Sequence, residues 1–285
     1  MISPIQIQKI AFFLIRLMAA TVVLILLTLL IFLIYKGIGV ISWEFLTAMP
    51  KAGMTAGGIL PAIVGTLILT LLGISIAMPV GLGAAIYLAE FAKNDWKYKF
   101  ILLMTNNLAG IPSIVFGLFG MALFVQGLGM GDSILAGACT LALVVLPVII
   151  RTSEEALKAV PKELKLASIG LGATRMQTLF KVLLPVAAPR VLTGLILSMG
   201  RISGETAPIL FTVAAYFLPR LPTSIFDQVM ALPYHLYVIS TSGTNIDESR
   251  PMAYGTALVL MALVCILNII AFMARRYFTR KSPQK

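Results

Sequence analysis

The chain has 285 residues, of which 59% are hydrophobic and 12% charged, with a net charge of +11. So few charges cannot keep a water-facing surface solvated, which excludes a soluble globular protein and predicts an all-α integral membrane protein. The basic excess raises nucleic acid as a partner, but its distribution along the chain argues against that reading.

A bilayer core takes about 20 apolar residues to cross as a helix. Uncharged runs of about that length occur at 17–35, 52–89, 100–131, 133–150 and 251–274, and residues 191–218 are broken only by Arg201 and Glu205. Six transmembrane helices are therefore expected. The short alternating segments of an outer-membrane barrel are absent from this pattern. The first run is too long for the core of a signal peptide and is expected to be retained. Cys139 and Cys265 stand singly in different spans and read as small buried hydrophobes.

Six spans put both termini and the second and fourth loops on one side. Lys9, Arg16, Lys93, Lys97, Lys99, the basic residues between 151 and 190, and Arg275, Arg276, Arg280, Lys281 and Lys285 fall there. Only Lys36, Lys51, Arg220 and Arg250 fall opposite. This positive-inside bias places both termini in the cytoplasm, so the basic charge sets topology. Tyr35, Trp43, Trp96, Tyr98 and Tyr277 lie near span ends as interfacial anchors. The expected organisation is a first helix with its flanks (1–58), a five-helix core (59–275) and a basic tail (276–285). Within the core lie a cytoplasmic loop (151–189) and an external segment (217–250).

Gly65, Gly73, Gly81 and Gly83 recur in the second span, and Gly110, Gly117 and Gly120 in the third. Small residues of this kind chiefly let helices approach closely. "GIPS" at 110–113 is the candidate bend. No Gly-x-x-x-x-Gly-Lys-Ser/Thr stretch occurs, so the chain is not expected to bind ATP. His235, beside Tyr234 and Tyr237 in the external segment, reads as an interfacial histidine; a lone histidine without a carboxylate cluster makes no metal site.

The cytoplasmic loop, "RTSEEALKAVPKELKLASIGLGATRMQTLFKVLLPVAAP", is elaborate for a linker. Thr152 with Glu155 and Thr174 with Gln177 have capping-box spacing. Pro161 suits a helix start, Gly170 and Gly172 a break, and Pro185 and Pro189 the approach to the next span. Helix, glycine turn, helix, membrane is the order expected, and such an element suits docking into a groove on a cytoplasmic partner.

"GRISGETAPILFT" at 200–212 places Arg201 and Glu205 inside an apolar span. Each charge at a bilayer centre costs roughly 2.5–3.5 kcal/mol on insertion scales. Residues four apart share a helix face, but Arg before Glu is the weaker order, and apolar residues hold a helix as well as a buried pair does. Gly200 and Gly204 would let a neighbouring helix approach. Pro208 leaves the Gly204 carbonyl without its helical donor. An interrupted helix beside charge at mid-membrane is a transporter device, so Arg201, Glu205, Gly204 and Pro208 are candidates for a substrate path.

The loop resembles the signature of binding-protein-dependent ATP-binding-cassette importer permeases, Glu-Ala-Ala, three residues, Gly, nine residues, Ile, any residue, Leu-Pro. Gly172, Val182, Leu184 and Pro185 match in spacing and Ala167 matches the central alanine. Leu166 stands in place of the glutamate and Ser168 in place of the second alanine. Together with "GGILPAIVGTLILTLLGISIAMPVGLGAAIYLAEFA", "LAGIPSIVFGLFG", "RISGETAPILFT" and "LPYHLYVIS", the chain resembles the phosphate importer's permeases, and most of all the PstA-type subunit. The resemblance implies a type I importer permease fold in a bacterial cytoplasmic membrane and transport of inorganic phosphate. It implies a sister permease, two copies of a cytoplasmic ATPase carrying ATP and Mg, and an extracytoplasmic phosphate-binding protein. No cofactor would sit on this chain itself. Leu166, Ala167, Ser168, Gly172, Val182, Leu184 and Pro185 would then couple to the ATPase. A molybdate or sulfate importer, a proton-coupled carrier and a non-transporting scaffold are the alternatives.

Overall fold

The computed structural model describes residues 4–92, 95–242 and 246–281. Lys93, Lys285 and the end of the basic tail lie outside the described residues, as does the side chain of Tyr277. Helix α1 (Pro4–Gly37) is followed by a short α2 (Trp43–Thr47), which Ser42 caps through its hydroxyl. A hairpin of two-residue strands, Pro50–Lys51 and Ala56–Gly57, then leads into α3 (Leu60–Ile86), which widens into a π-type turn at Tyr87–Phe91. Sequence patterning gave no sign of these strands, because two residues are too few to show alternation.

The third expected span is not straight. Helices α4 (Trp96–Gly110) and α5 (Ser113–Gly120) are bent by 103° at the "GIPS" stretch, where Ile111 and Pro112 leave helical geometry. Proline fixes its own φ and disfavours the helical region for the residue before it, which accounts for the position of the break. The long helix α6 (Ile134–Lys158) is capped by Ser133 and continues past Arg151. The capping box expected at Thr152 therefore does not form. Thr152 lies mid-helix and its hydroxyl donates to the Val148 carbonyl.

After α7 (Lys162–Gly170) come α8 (Arg175–Thr178), a π-type turn at Leu179–Leu183 and α9 (Leu184–Gly204), which run on as one apolar rod. The second half of the expected loop thus continues into the helical rod that runs from Arg175 to Gly204. A short α10 (Ala207–Leu210), an irregular stretch, α11 (Leu232–Thr241) and the long α12 (Ile246–Lys281) complete the chain. Five helices are long and apolar enough to cross a membrane, or six spans when the bent pair counts as one.

The core lies where α3, α6 and α9 pack together, filled by Leu69, Leu141, Val145, Ile149 and Ile202. Glycines set this spacing. A Cβ on Gly81 would lie 2.6 Å from Ile149 Cγ2, and one on Gly120 would lie 2.1 Å from the Thr140 hydroxyl. The packing role expected of the small residues is present at these positions, whereas Gly83 and Gly110 face no atom within 4 Å. A second cluster gathers α2, Met54, α11 and α12 at one end of the molecule, and a third joins α6 to α9 at the other. Helix α1 stands apart, exposing Phe13, Leu24 and Ile31 and packing chiefly toward α12. Cys265 is exposed rather than buried, and Cys139 is half-buried. Trp43, Trp96 and Tyr35 are exposed.

Candidate functional sites: a broken helix and a projecting loop

The segment around Arg201 folds as a helix end. Helix α9 stops at Gly204, a residue with little helix preference, and Glu205 occupies the cap position with extended geometry (ψ 127°). Pro208 sits in the first turn of α10, where its missing N–H costs nothing. The expected span to residue 218 is therefore broken at 204–206. Arg201 Nε donates to Glu205 Oε1 at 3.2 Å, with the arginine side chain 39% exposed and the glutamate 14%.

The unfavourable Arg-before-Glu order applies to residues within a helix, and Glu205 has left it. Arg201 also lies in the last turn, where a cation complements the helix dipole. Gly200 approaches Asn268 of α12, with a Cβ contact of 3.4 Å, but Gly204 meets nothing within 4 Å. The small-residue face is thus used at one glycine only. Pro208 packs against Gly117 of α5 and braces the bent span. The structure joins Arg201, Gly204 and Glu205 in one site and places Pro208 in the packing behind it.

Patterning missed a set of hydroxyls. Thr66 and Thr70 of α3 and Ser203 of α9, together with Glu205, Ala231 and Pro233, line a cavity of about 10 Å³ beside the helix break. That volume holds about one water. The Thr70 and Ser203 hydroxyls are 3.2 Å apart and buried. The Thr66 hydroxyl accepts from Leu232 N at 2.8 Å and donates to the Ala62 carbonyl. The i, i+4 spacing of Thr66 and Thr70 was the available signal, overshadowed by the glycines around them.

His235 is not interfacial. It is 2% exposed and neither ring nitrogen has a hydrogen-bond partner, while Tyr237 beside it is half exposed and stacks on Tyr234. Burial pushes the imidazole down to about 4, so it is neutral at neutral pH. Among the described residues no group of His, Cys, Asp or Glu is placed to hold a metal.

The second site is the loop between α6 and α9. Gly172, with φ +86°, ends α7 in a conformation that favours glycine. Thr174 and Gln177 form the expected capping box at 3.2 and 2.9 Å. The Ser168 hydroxyl lies 3.0 Å from that of Thr178, fastening α7 onto α8. Leu166 and Ala167 are exposed, with Leu164 and Leu171 adding to an apolar tip on which Leu171 is 90% exposed. Val182 and Leu184 are part-buried along the rod, and Pro185 is exposed. The seven residues therefore divide: Leu166, Ala167 and Gly172 at the tip, Ser168 as its fastening, and Val182, Leu184 and Pro185 at the base.

Three ion pairs brace this end. Glu154, 1% exposed, accepts from Arg151 Nη1 at 3.0 Å, Lys158 Nζ at 2.7 Å and the Tyr98 hydroxyl at 2.9 Å, locking α4 onto α6. Tyr98 is thus a structural partner rather than a free anchor. Lys165 of α7 pairs with Glu90 in the π-type turn after α3.

A bent span, a transmembrane helix interrupted at a charge pair and a projecting apolar loop define a multi-pass helical transport component. The chain belongs to the family described as the binding-protein-dependent transport system inner membrane component, whose model matches residues 77–282. It is 35% identical over 276 residues to a probable ABC transporter permease protein, YqgI, of Bacillus subtilis, covering 93% of each chain. It is 36% identical over 227 residues to the phosphate transport system permease protein PstA 1 of Mycobacterium tuberculosis, covering 79% of this chain and 73% of the relative. It is 35% identical over 270 residues to the probable phosphate transport system permease protein PstA of Methanocaldococcus jannaschii, covering 95% and 92%.

Solved structures of the same shape include the MetNI methionine ABC transporter in inward-facing conformations, with TM-score 0.64 and 20% identity over 77% of this chain and 95% of that one. A bacterial alginate ABC transporter in complex with an alginate pentasaccharide-bound periplasmic protein gives TM-score 0.68 and 14% identity over 95% and 96%. The fold is that of type I ABC importer permeases, and the chain is a permease of that class.

Proposed function

We propose that this chain is a transmembrane permease subunit of an ATP-driven importer that moves inorganic phosphate into a bacterial cytoplasm. The observation that carries the reading is the Arg201–Glu205 pair at a broken helix, beside a small, largely apolar cavity that Glu205 borders. The relatives named as phosphate permeases supply the choice of anion. Arginine offers a fork of donors that suits phosphate oxygens, and the ion pair engages it through Nε. Glu205 neutralises Arg201 when no anion is present and competes with phosphate for it when one arrives. Binding is thereby kept weak enough for release, the compromise that passage demands.

The remaining parts follow the importer plan. A sister permease completes the path and an extracytoplasmic phosphate-binding protein delivers the anion. A cytoplasmic ATPase dimer, which holds ATP and Mg, takes the apolar tip of loop 151–189. Both termini lie in the cytoplasm. Gly172 lets α7 turn back on α8, so closure of the ATPase moves the rod of α8 and α9 as a body. The test is ATP-dependent phosphate uptake in vesicles holding the whole complex, with Arg201→Gln. Normal uptake by that variant, with the complex intact, overturns the reading.

A further inference from the structure

Beside the loop lies a cavity of about 170 Å³ that the transport reading leaves unused. It is lined by Glu90 and Phe91 after α3, Lys165 and Ile169 of α7, Arg175 of α8 and Leu179. Its charged groups are two cations and one anion. Glu90 is committed to Lys165, and among the described residues no carboxylate lies within ion-pair distance of Arg175, which is exposed at the first residue of α8. The pocket therefore carries net positive charge, with an exposed arginine in its lining. Phe91 and Ile169, each about two-fifths exposed, add an apolar wall on the side of the spans.

We propose that this cavity binds a phosphate group at the cytoplasmic face and that its occupancy sets how freely the docking loop moves. The placement at that face rests on the orientation given under Proposed function. The chemistry rests on the pocket. Arginine takes two oxygens of a phosphate in parallel, whereas a lysine ammonium acts as a point charge beside them. Basic pockets between membrane helices on the cytoplasmic side hold phosphate headgroups in this way. An occupant touching Arg175 and Lys165 would tie α7 and α8 to the end of α3, because Lys165 is already joined there through Glu90. Free phosphate and the phosphodiester of an anionic lipid share this chemistry. Free phosphate would make the site a feedback sensor for the imported anion; a lipid would make it a fixed tether.

The two sources separate in nanodiscs holding the whole complex, with ADP release measured at saturating binding protein. In one arm the lipid is phosphatidylcholine alone and inorganic phosphate is titrated beyond what saturates the binding protein. In the other, phosphate is held low and the phosphatidylglycerol fraction is raised. The wild type is expected to respond in one arm. Arg175→Gln should need about fivefold more of the effective species, the change that about one basic contact near an anionic surface is worth, and Arg175→Lys should recover part of it. Equal responses of wild type and Arg175→Gln in both arms overturn the proposal. So does an Arg175→Gln defect already present with neither ligand raised, which would mark Arg175 as a contact to the ATPase. Arg201→Gln run in parallel keeps the two readings apart: normal uptake by that variant sinks the anion path and leaves the Arg175 comparison standing.

Discussion

Among the described residues, two carboxylates have basic partners three or four residues away, and they are built in opposite ways. Glu154 is almost fully buried and accepts from an arginine, a lysine and a tyrosine drawn from two helices. Glu205 has left its helix, is bonded to a single N–H of Arg201 and borders a cavity. A network with every member satisfied rigidifies the structure around it. A pair with spare donors and acceptors can exchange partners. The first arrangement clamps α4 to α6, and the second can admit an anion. Charge inside the spans thus says little about role until the number of partners is counted.

The largest expected effect tests the open pair. Arg201→Gln should lower ATP-dependent phosphate uptake roughly a hundredfold, the rate equivalent of losing one charge's relief of about 2.5–3.5 kcal/mol in a low-dielectric path. Thermal stability should barely change, since the pair is partly exposed and exposed pairs contribute little. A variant that transports normally but unfolds early would turn the comparison around, making Arg201–Glu205 the structural pair.

Glu154→Leu should behave in the opposite sense. It removes the acceptor of the Tyr98 hydroxyl, which keeps its bond from Lys158 Nζ, and separates Arg151 and Lys158 from their shared carboxylate. Both cations are partly exposed and can be resolvated, so a loss of about 2–3 kcal/mol is expected. The melting temperature of the purified complex would register it. Uptake per folded complex should stay near wild type. A transport defect at unchanged stability would place Glu154 in the working machinery.

His235 extends the comparison to a buried polar group with no partner at all. Its pKa falls from about 6.5 to about 4 on folding, so the folded state holds fewer protons than the unfolded state between those values. Its contribution is fully present above pH 6.5 and is lost as pH falls through that window, reaching about 2 kcal/mol at pH 5. His235→Leu should flatten this part of the stability–pH curve and cost little at pH 7.5, because no hydrogen bond is removed. Parallel curves for the variant and wild type would mean that the folded and unfolded states take up the His235 proton alike, so that burial does not hold the imidazole neutral.

Much of this architecture was legible in the sequence. The apolar runs gave the spans, "GIPS" gave the bend, and Thr174 with Gln177 gave the start of α8. Three features were not legible, for physical reasons. Thr152 has capping-box spacing, but the tertiary packing of α6 against Gly194 of α9 carries the helix through it. The end of the span was misplaced: Gly204 and Pro208 signalled an interruption, but the hydrophobic run read on to residue 218, because hydropathy reads composition and not hydrogen bonding. The Thr70 and Ser203 hydroxyls lie 133 residues apart and meet only when α3 and α9 pack, which local patterning does not encode.

Those hydroxyls give the smallest and most discriminating effect. Thr70→Val keeps the side-chain volume and removes one half of a buried hydroxyl pair, leaving Ser203 with its bond to the Met199 carbonyl. A stability loss of about 1 kcal/mol is expected for such a change. Ser203 lies two residues before Glu205, so a shift of α9 against α3 would also alter how Glu205 meets Arg201. Should the hydroxyl pair hold that register, Thr70→Val will change the phosphate concentration for half-maximal uptake along with stability, and Thr70→Ser will restore both. An unchanged half-maximal concentration would mean that the hydroxyl pair only packs, leaving Arg201 and Glu205 as the sole polar groups of the broken helix that act on the anion.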